Sequence, residues 1–322
     1  MSQSLDQALN AFVPPLPLAV ALSGGADSTA LLVACARKWP SQVIAVHINH
    51  GLQSAASQFE RQCQQLCDSL QLPLHILQVN AHASAGQSPE DAARIARYGA
   101  LTEFMTAHPQ GKACKAMALG QHADDQVETL LLALSRGAGL PGLSAMPAQW
   151  ARNGVALYRP LLQVSSLEIR RWLAQEGHTF IEDPTNTDEA FTRNRIRARL
   201  MPALREVFPQ YLDTFTRSAS HAAQAQVLLD EVAQEDWLRV CNPSQNAPEI
   251  KKLQSLSNAR QSNVLRFWLK SRCQSSASAA QLQELLSQIA ACTTAGHQIQ
   301  IKVGSGFVRR SKAELAWYNE TV

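Results

Sequence analysis

The chain has 322 residues, of which 29 are Lys or Arg, 26 are Asp or Glu, and 46% are hydrophobic. This apolar fraction supplies a packed core and excludes a disordered chain, and the length allows one large domain or two ordinary ones. No apolar run reaches the ~18 residues of a membrane span, and residues 1–10 lack the segments of a secretion signal. The seven cysteines are scattered and odd in number, which favours reduced thiols and a cytoplasmic protein without a membrane partner.

Short apolar runs alternate with helical patterns through the first half of the chain. This alternation predicts right-handed crossovers and an α/β fold, a doubly wound parallel sheet that is covered on both faces. Such a sheet binds ligands beyond the carboxyl ends of its strands. The predicted strands are 18–22, 43–48, 74–79 and 115–119, and the predicted helices are 27–38, 58–70, 90–107 and 124–135.

The pattern changes near residue 218, where long amphipathic helices replace the alternation. We therefore predict two domains, over 1–217 and 218–322, of which the second is mostly helical. The segment 241–256 is rich in Pro, Ser, Asn and Gln, which predicts a connecting loop. The second domain is predicted to contain helices over 222–238, 259–270 and 279–291, followed by a hairpin of strands 298–303 and 307–310.

A pair of glycines joins the first predicted strand to the first predicted helix. Glycines allow a tight turn that brings backbone N–H groups close to an anion, and a helix N-terminus attracts negative charge. An aspartate at such a site fits Mg²⁺ held between carboxylate and phosphate oxygens. The alternative is a plain turn in which Asp27 caps the helix. The predicted nucleotide-binding residues of this loop are Ser23, Gly24, Gly25, Ala26, Asp27 and Ser28.

Two familiar glycine motifs do not apply to this chain. No G-x-x-x-x-G-K-[ST] pattern occurs, which argues against the γ-phosphate transfer of kinases and GTPases. A G-x-G-x-x-G pattern at 137–142 follows a predicted helix instead of a strand, so we reject it as a dinucleotide-binding motif.

A second polar cluster, 120–129, follows the fourth predicted strand. His122 stands at the junction of strand and helix, and Asp125 and Glu128 share a helix face because they are three residues apart. Their carboxylates fit either Mg²⁺ or the ammonium group of a cationic substrate, and helix capping is the alternative. His47 ends the second predicted strand, where it either lines an adenosine pocket or merely terminates the strand.

Basic residues recur in three places. Arg94 and Arg97 lie at helical spacing on one polar face of the third predicted helix, where an ordinary solvated face is the alternative. In 193–199 every second residue is an arginine, so these side chains cannot all lie on one helix face, and several are free to contact phosphates or carboxylates. A smaller basic spot occurs at 309–312. Together they indicate a polyanion larger than ATP, with RNA the natural candidate and a solvated basic surface the alternative. The predicted RNA-binding residues are Arg94, Arg97, Arg193, Asn194, Arg195 and Arg197.

The loop at 23–28 resembles the S-G-G-x-D-S loop of the N-type ATP pyrophosphatases, or PP-loop enzymes, whose fold is adenine nucleotide alpha hydrolase-like. Within them the chain resembles the tRNA(Ile)-lysidine synthetases most closely, over most of residues 18–205. In the second domain, 260–269 resembles their substrate-binding domain. The further motifs that carry the resemblance are 47–52, 94–98, 120–129, 136–143, 159–162, 183–186 and 193–197.

The resemblance implies an ATP-dependent ligase, with Mg²⁺ as cofactor, that modifies tRNA(Ile) with a CAU anticodon. The C2 oxygen of the wobble cytidine is adenylated by ATP, and L-lysine then replaces AMP to give lysidine. The residues that would carry this chemistry are Asp27, Asp125 and Glu128, with Asp27 and Asp125 on the metal; alternatively Asp125 or Glu128 holds lysine. The resemblance assigns catalysis to 1–217 and tRNA binding to 218–322, and it is compatible with a homodimer.

The chain also departs from the family pattern. Gln53 stands where an arginine often follows His-Gly-Leu, and a further C-terminal domain of many members is not recognised before Val322, which fits a short form or a shortened chain. Three other functions remain as alternatives. A tRNA-thiolating enzyme typically needs cysteine pairs, and no C-x-x-C occurs. An amidotransferase-type synthetase needs an ammonia source, and a nucleotide sensor or RNA-binding module would bind ATP without releasing pyrophosphate.

Overall fold

The computed structural model describes residues 3–49, 56–79, 88–294, 296–304 and 306–319. The chain divides into two compact units, Met1–Ala223 and Gln224–Val322. The functional boundary between 217 and 218 stays a prediction, because compactness does not say what each unit does. Within the ranges above, no helix is both long and apolar enough to cross a membrane.

A six-stranded sheet forms the centre of the first unit. Its strands are β1 (Leu18–Leu22), β2 (Val43–Asn49), β3 (Leu74–Gln78), β4 (Ala116–Ala118), β5 (Gln149–Arg152) and β6 (Val155–Tyr158). Their order is β3-β2-β1-β4-β6-β5, and neighbours are parallel except for β5, which runs antiparallel to β6. The order reverses between β1 and β4, so the crevice at this switch point lies where a sheet of this kind binds its ligand.

Helices cover the sheet on both faces, as the alternation of elements predicted. Leu18, Val20 and Leu22 of β1 pack in one hydrophobic core, whereas Ala19 packs in another on the opposite face. The helices of this unit are α1 (Leu5–Ala11), α2 (Ala26–Lys38), α3 (Ala56–Ser69), α4 (Pro89–Ala107), α5 (Pro109–Ala113), α6 (Ala123–Ser135), α7 (Leu140–Leu143), α8 (Ser166–Gln175), α9 (Thr192–Arg195) and α10 (Met201–Val207). A π-helical turn, Ile196–Leu200, follows α9.

The second unit contains helices and a three-stranded antiparallel sheet. Its elements are α12 (Ile250–Gln254), α13 (Asn258–Arg272), α14 (Ala279–Ala291), β7 (Cys241–Asn242), β8 (Ala247–Pro248), β9 (Gln300–Val303), β10 (Gly306–Ser311) and β11 (Glu314–Tyr318), and α11 (Tyr211–Val240) reaches it from the first unit. The sheet order is β11-β10-β9. The predicted hairpin is therefore present as β9 and β10, although Ser305 of its turn lies outside the described residues.

The prediction of a connecting loop over 241–256 is wrong. This segment contains β7, β8 and α12, because two apolar side chains within it, Ile250 and Leu253, are buried in the core of the second unit. The rejection of the 137–142 glycine motif agrees with the structure, since Gly137 follows α6 and Gly139 precedes α7.

Candidate active site

The loop between β1 and α2 has a shape that requires glycine. Gly24 has a φ of +89°, in the left-handed region, and a Cβ there would lie 3.2 Å from Cδ1 of Phe59 and 3.3 Å from Sγ of Cys63. Gly25 is the N-cap of α2 and leaves the first-turn N–H groups of the helix without a side-chain cap. The loop therefore rests on α3 and presents backbone donors, as an anion-binding loop does.

Two serine hydroxyls brace this loop from within. The Ser28 hydroxyl donates to the carbonyl of Gly25 (3.2 Å), and its oxygen accepts from the backbone N–H of Ser23 (3.0 Å). The Oγ atoms of the two serines are 2.9 Å apart. Across the loop, the N–H of Ile181 donates to the carbonyl of Gly24 at 3.1 Å. These bonds hold the loop in shape before any ligand arrives.

The loop that follows β4 packs directly on the first turn of α2. A Cβ at Gly120 would lie only 3.0 Å from the carbonyl carbon of Asp27 and 3.0 Å from the nitrogen of Ser28. Both neighbours are backbone atoms that cannot rotate away. Because residue 120 is glycine, the polar cluster that begins α6 lies beside the predicted phosphate loop at the switch point.

A buried arginine supports the second loop. Arg159 donates from Nε to Oε1 of Gln121 (3.0 Å) and from Nη2 to the hydroxyl of Tyr98 on α4 (2.9 Å). Its guanidinium lies 3.7 Å from the ring centroid of Trp150, a cation–π contact. This supporting role of Arg159 was not predicted, because only its place in the 159–162 motif is visible in the sequence.

His122 is surrounded by three carboxylates. Its Nε2 is 3.5 Å from Oδ1 of Asp27 and 3.6 Å from Oδ2 of Asp125, and its Nδ1 is 3.6 Å from Oδ2 of Asp124. Burial by itself lowers the pKa of His122, but Asp125 and the other two carboxylates outweigh it and raise this pKa well above the ordinary value. The side chain is therefore an imidazolium that links the two loops.

Asp124 is held by its contact with His122 and by a hydrogen bond from the first residue of α8. Burial raises the pKa of its carboxyl group, but His122 and the N–H of Ser166, which donates to Oδ2 at 2.8 Å, lower it more. The net pKa of Asp124 is below its ordinary value, so the group is ionised at neutral pH. Asp124 belongs to the polar cluster 120–129, but neither of these contacts was predicted from the sequence.

Asp125 and Glu128 both lie in α6, but their environments differ. Oδ2 of Asp125 accepts from the backbone N–H of His122 at 3.1 Å, so the capping alternative is realised at this residue. Glu128 is fully buried, and Nε of Arg197 donates to its Oε1 at 2.8 Å. Burial raises the pKa of Glu128, and Arg197 opposes that rise. The structure thus brings Asp27, Asp125 and Glu128 into one region, with Arg197 beside them.

Two carboxylate oxygens of this region are buried without a hydrogen-bond partner, Oδ1 of Asp27 and Oε2 of Glu128. Each has a cationic side chain nearby, His122 at 3.5 Å from the first and Arg193 at 3.6 Å from the second, but neither contact is a hydrogen bond, so both oxygens keep acceptor capacity. In the part of the chain that the structure describes, no group of three or more His, Cys, Asp and Glu could hold a metal ion. Mg²⁺ commonly takes only one or two carboxylates and completes its shell with water and substrate phosphates, so Asp27 and Asp125 fit it.

His47 lies next to the phosphate loop, because it pairs with Leu22 at the end of β1. It is buried, and its ring Nδ1 contacts the carbonyl of Leu22 at 2.8 Å. Burial lowers the pKa of His47, so the ring is neutral at pH 7 and Nδ1–H is the donor in this contact. Residues 50–53, which complete the corresponding family motif, lie outside the described residues.

The arginines predicted to bind RNA separate into two groups. Arg94 pairs with Asp91 on the exposed surface of α4, and Arg97 is also exposed. Nε of Arg193 lies 2.5 Å from Oε1 of Glu90, and its Nη1 lies 3.6 Å from Oε2 of Glu128. The first group therefore faces solvent, whereas Arg193, together with Arg197, reaches the buried carboxylate.

Asn194 and Arg195 turn toward the preceding loop. Asn194 donates to the carbonyls of Thr185 and Asp188, each at 2.8 Å, and Arg195 donates to the carbonyl of Glu189 at 3.0 Å. The segment thus distributes alternate side chains to different sides, as the spacing of its arginines predicted. These side chains contact carboxylates and backbone carbonyls as well as solvent.

Two family models together match most of the chain. The family model described as "PP-loop domain" matches residues 1–204, and the one described as "TilS substrate binding domain" matches residues 249–315. The tRNA(Ile)-lysidine synthase of Polaromonas naphthalenivorans is 59% identical over 94% of this chain and 89% of its own length. The tRNA(Ile)-lysidine synthase of Burkholderia pseudomallei is 36% identical over 98% of this chain, which spans 64% of that relative.

A solved structure supports the fold assignment. The U34-tRNA thiolase NcsA from Methanococcus maripaludis, solved with its [4Fe-4S] cluster, superposes with a TM-score of 0.55 over 66% of this chain and 74% of its own. The two sequences are 14% identical, so the likeness concerns the fold alone. The predicted parallel sheet of the PP-loop class is confirmed.

Proposed function

This chain belongs to the tRNA(Ile)-lysidine synthase family, and we propose that it joins L-lysine to the wobble cytidine of tRNA(Ile) with the CAU anticodon in an ATP-dependent reaction. The observation that carries the proposal is the close approach of Gly120 to the backbone of Asp27 and Ser28. This approach places an acidic cluster against a phosphate-binding loop, so a nucleotide and a cationic substrate can meet at one point.

In the first step, the C2 oxygen of the cytidine attacks the α-phosphorus of ATP, and pyrophosphate leaves. The backbone N–H groups of 24–28 and the N-terminus of α2 would stabilise the charge that builds on the phosphates. Mg²⁺, held by Asp27 and Asp125, would neutralise part of the pyrophosphate charge. His47 would line the adenosine side of the loop as a neutral ring.

In the second step, the ε-amine of lysine attacks C2, the C2–O bond breaks, and AMP leaves with the former C2 oxygen while the amine loses a proton. Adenylation is needed because an amide-like oxygen is a poor leaving group. Two roles remain as alternatives for the carboxylates of α6: Asp125 or Glu128 would bind the lysine ammonium, or Asp125 would hold the metal. Oε2 of Glu128 accepts no hydrogen bond, and its ion pair with Nη1 of Arg193 is long at 3.6 Å, which supports the first role.

The remaining assignments belong to the same proposal. The exposed Arg94 and Arg97 and the 193–197 segment would contact tRNA, with 1–217 as the catalytic domain and 218–322 as the substrate-binding domain. A wobble base in an anticodon loop can be turned out into such a site at lower cost than a base in a duplex. We also propose a cytoplasmic enzyme, supported by seven free cysteines, and a homodimer is compatible with the family.

Incorporation of labelled lysine into RNA tests the proposal. The protein would be incubated with ATP, Mg²⁺ and an unmodified transcript of the CAU-anticodon tRNA(Ile), and a transcript with the wobble cytidine replaced is the control. ATP-dependent labelling of the first transcript alone is the expected result. Pyrophosphate release with another RNA and no lysine labelling would overturn the substrate assignment while keeping the nucleotide chemistry.

A further inference from the structure

The sheet of β9, β10 and β11 has two faces of opposite character. One face is apolar and buried: Ile301, Val303, Val308 and Leu315 pack in the core of the second unit. Because side chains alternate along a strand, the residues between them point the other way. That outer face carries Gln300, Lys302, Phe307, Arg309 and Tyr318, which are exposed or half-buried.

The register of the strands assembles these outer residues into a row. Phe307 pairs with Lys302 of β9 on one side and with Tyr318 of β11 on the other. The rings of Phe307 and Tyr318 are stacked, with centroids 5.6 Å apart and planes at 21°. The guanidinium of Arg309 lies 4.7 Å from the centroid of the Tyr318 ring. Lys302 therefore flanks the aromatic pair on β9, and Arg309, which pairs with Gln300 and Ala316 in the neighbouring row, reaches over the Tyr318 ring.

The two cations of this face are available to an anion, because Lys302 and Arg309 are both solvent-exposed. Glu314 shares the face but lies at the far end of the ladder, opposite Ser311, where it accepts from the side chain of Asn242. The basic and aromatic part of the face is thus separated from its acidic end.

We propose that this outer face binds unpaired bases of the substrate RNA, with the ring of Phe307, backed by Tyr318, stacking on a base and Lys302 and Arg309 contacting the adjoining phosphates. The proposal rests on the proposed function in one respect, that the substrate is an RNA. The chemistry of the row favours single-stranded over duplex RNA. A base pair inside a helix hides its flat faces, whereas an unpaired base offers one to an aromatic ring, and a basic groove follows its backbone.

Binding of a short oligonucleotide separates this face from catalysis. The full chain would be titrated with a fluorescent single-stranded RNA heptamer and, in parallel, with an RNA duplex of equal length. Phe307→Leu keeps an apolar side chain but removes the ring, and we expect it to weaken heptamer binding by about tenfold, because one stacked base contributes on that order. Duplex binding should change much less.

Charge variants test the second half of the proposal while keeping both aromatic rings. Lys302→Gln with Arg309→Gln should lower the magnitude of the salt slope of heptamer binding by about 1.4, since each phosphate contact of a single strand contributes about 0.7. Lys112→Gln with Arg171→Gln is the matched control, because it removes the same charge from exposed positions on α5 and α8 of the first unit, to which no RNA contact is assigned. The control pair should leave the slope near that of the unchanged protein.

The outcomes distinguish this inference from the proposed function. Equal slopes in both charge pairs, together with unchanged heptamer affinity of Phe307→Leu, would overturn the inference even if lysine labelling of tRNA is normal. Conversely, a face that binds the heptamer as described stands even if no lysine is incorporated, because the titration needs neither ATP nor lysine. Equal losses for heptamer and duplex would also overturn it, since stacking on unpaired bases predicts a difference.

Discussion

His122 shows how a single residue can join two loops that are distant in the sequence. A buried imidazole is ordinarily neutral, yet here three carboxylates from two loops favour its charged form. The imidazolium compensates charges that would otherwise repel one another when Asp27 and Asp125 approach. Its protonation is therefore part of what holds the two loops together.

The pH dependence of stability tests this role. The folded pKa of His122 is raised above its unfolded value of 6.5, so its stabilising contribution is complete below that value and is lost as pH rises through the folded pKa. We expect His122→Gln to reduce the free energy of unfolding more at about pH 6 than at about pH 10. Urea denaturation measures this difference, with the exposed His221→Gln on α11 as control; a loss independent of pH would contradict the charged state.

Asp27 supplies the clearest test of the metal role. Its Oδ1 is buried without a hydrogen bond beside the phosphate loop. We expect Asp27→Ala to reduce formation of AMP and pyrophosphate by at least ~10²-fold, comparable to the loss of one transition-state contact. Asp27→Asn keeps the shape without the charge and should be similarly impaired. Circular dichroism would confirm that both variants fold, and normal pyrophosphate release by either would remove Asp27 from metal binding.

At the scale of secondary-structure elements, the loops β1–α2 and β4–α6 can pack against each other because residue 120 is glycine. We expect Gly120→Ala to destabilise the protein by ~1–3 kcal/mol, because its Cβ would press on the backbone of Asp27 and Ser28 and the first turn of α2 must shift. Affinity for ATP should fall as well.

The chain offers a matched control for this prediction. Gly99 lies within α4, and a Cβ there would meet nothing within 4 Å. Gly99→Ala should therefore be neutral or stabilise the helix by up to ~1 kcal/mol. Thermal denaturation and ATP titration of both variants measure the contrast. Equal behaviour of the two would show that the contact at residue 120 does not constrain the site.

The segment 192–200 combines α9 with a π-helical turn, an arrangement frequent at functional sites. We expect Arg195→Ala to weaken tRNA binding, with a larger effect at low than at high salt, because phosphate contacts are screened. Arg37→Ala is the control, since Arg37 pairs with Glu176 near the C-terminal end of α2, away from the switch point. Unchanged tRNA affinity of Arg195→Ala would exclude this segment from the interface.

The elements that were predicted well have a strong hydrophobic periodicity or are bounded by Pro, Gly and Ser residues. The strand 18–22 is bounded by Pro and by Ser-Gly-Gly, and its observed bounds are the predicted ones. The short β5 and β6 were not predicted, because four residues carry too little alternation to stand out. The loop assigned to 241–256 failed because its polar composition concealed the apolar spacing of Ile250 and Leu253.

The candidate site was predictable in its members but not in its contacts. Asp27, Asp125 and Glu128 follow strands whose carboxyl ends meet, so topology alone places them together. That His122 is charged depends on three distances between loops, and that Arg197 reaches Glu128 depends on how α9 continues. Neither feature follows from the spacing of residues along the chain, so neither could be predicted from the sequence.

At the scale of the whole molecule, each compact unit has its own hydrophobic core. The first unit places its predicted ligands at the reversal of strand order between β1 and β4, and the second presents a sheet of which only one face is buried. Proposed nucleotide chemistry and proposed base stacking thus belong to different units, which is why their tests can be separated.

Ligand-linked stability tests the nucleotide site of the folded chain as a whole. A non-hydrolysable ATP analogue with Mg²⁺ at about 100 times its dissociation constant should stabilise the protein by ~2.7 kcal/mol. The thermal midpoint measures this gain, and Asp27→Ala should lose the part that depends on Mg²⁺. No change in midpoint for the unaltered protein, at a concentration where binding is saturated, would contradict a site formed in the folded chain.

The sulfur atom beneath Gly24 gives the loop a resistance to oxidants. Burial, reinforced by Cys67 and Glu60, raises the pKa of Cys63 to about 12. Since the thiolate is the form that peroxides and alkylating reagents attack, on the order of one molecule in 10⁵ is reactive at pH 7. This sulfur supports the loop closely, since even a Cβ on Gly24 would lie only 3.3 Å from it. The Cys63 thiol that supports the nucleotide loop is thus poorly reactive, whereas a more acidic thiol at this position would make the enzyme sensitive to oxidants.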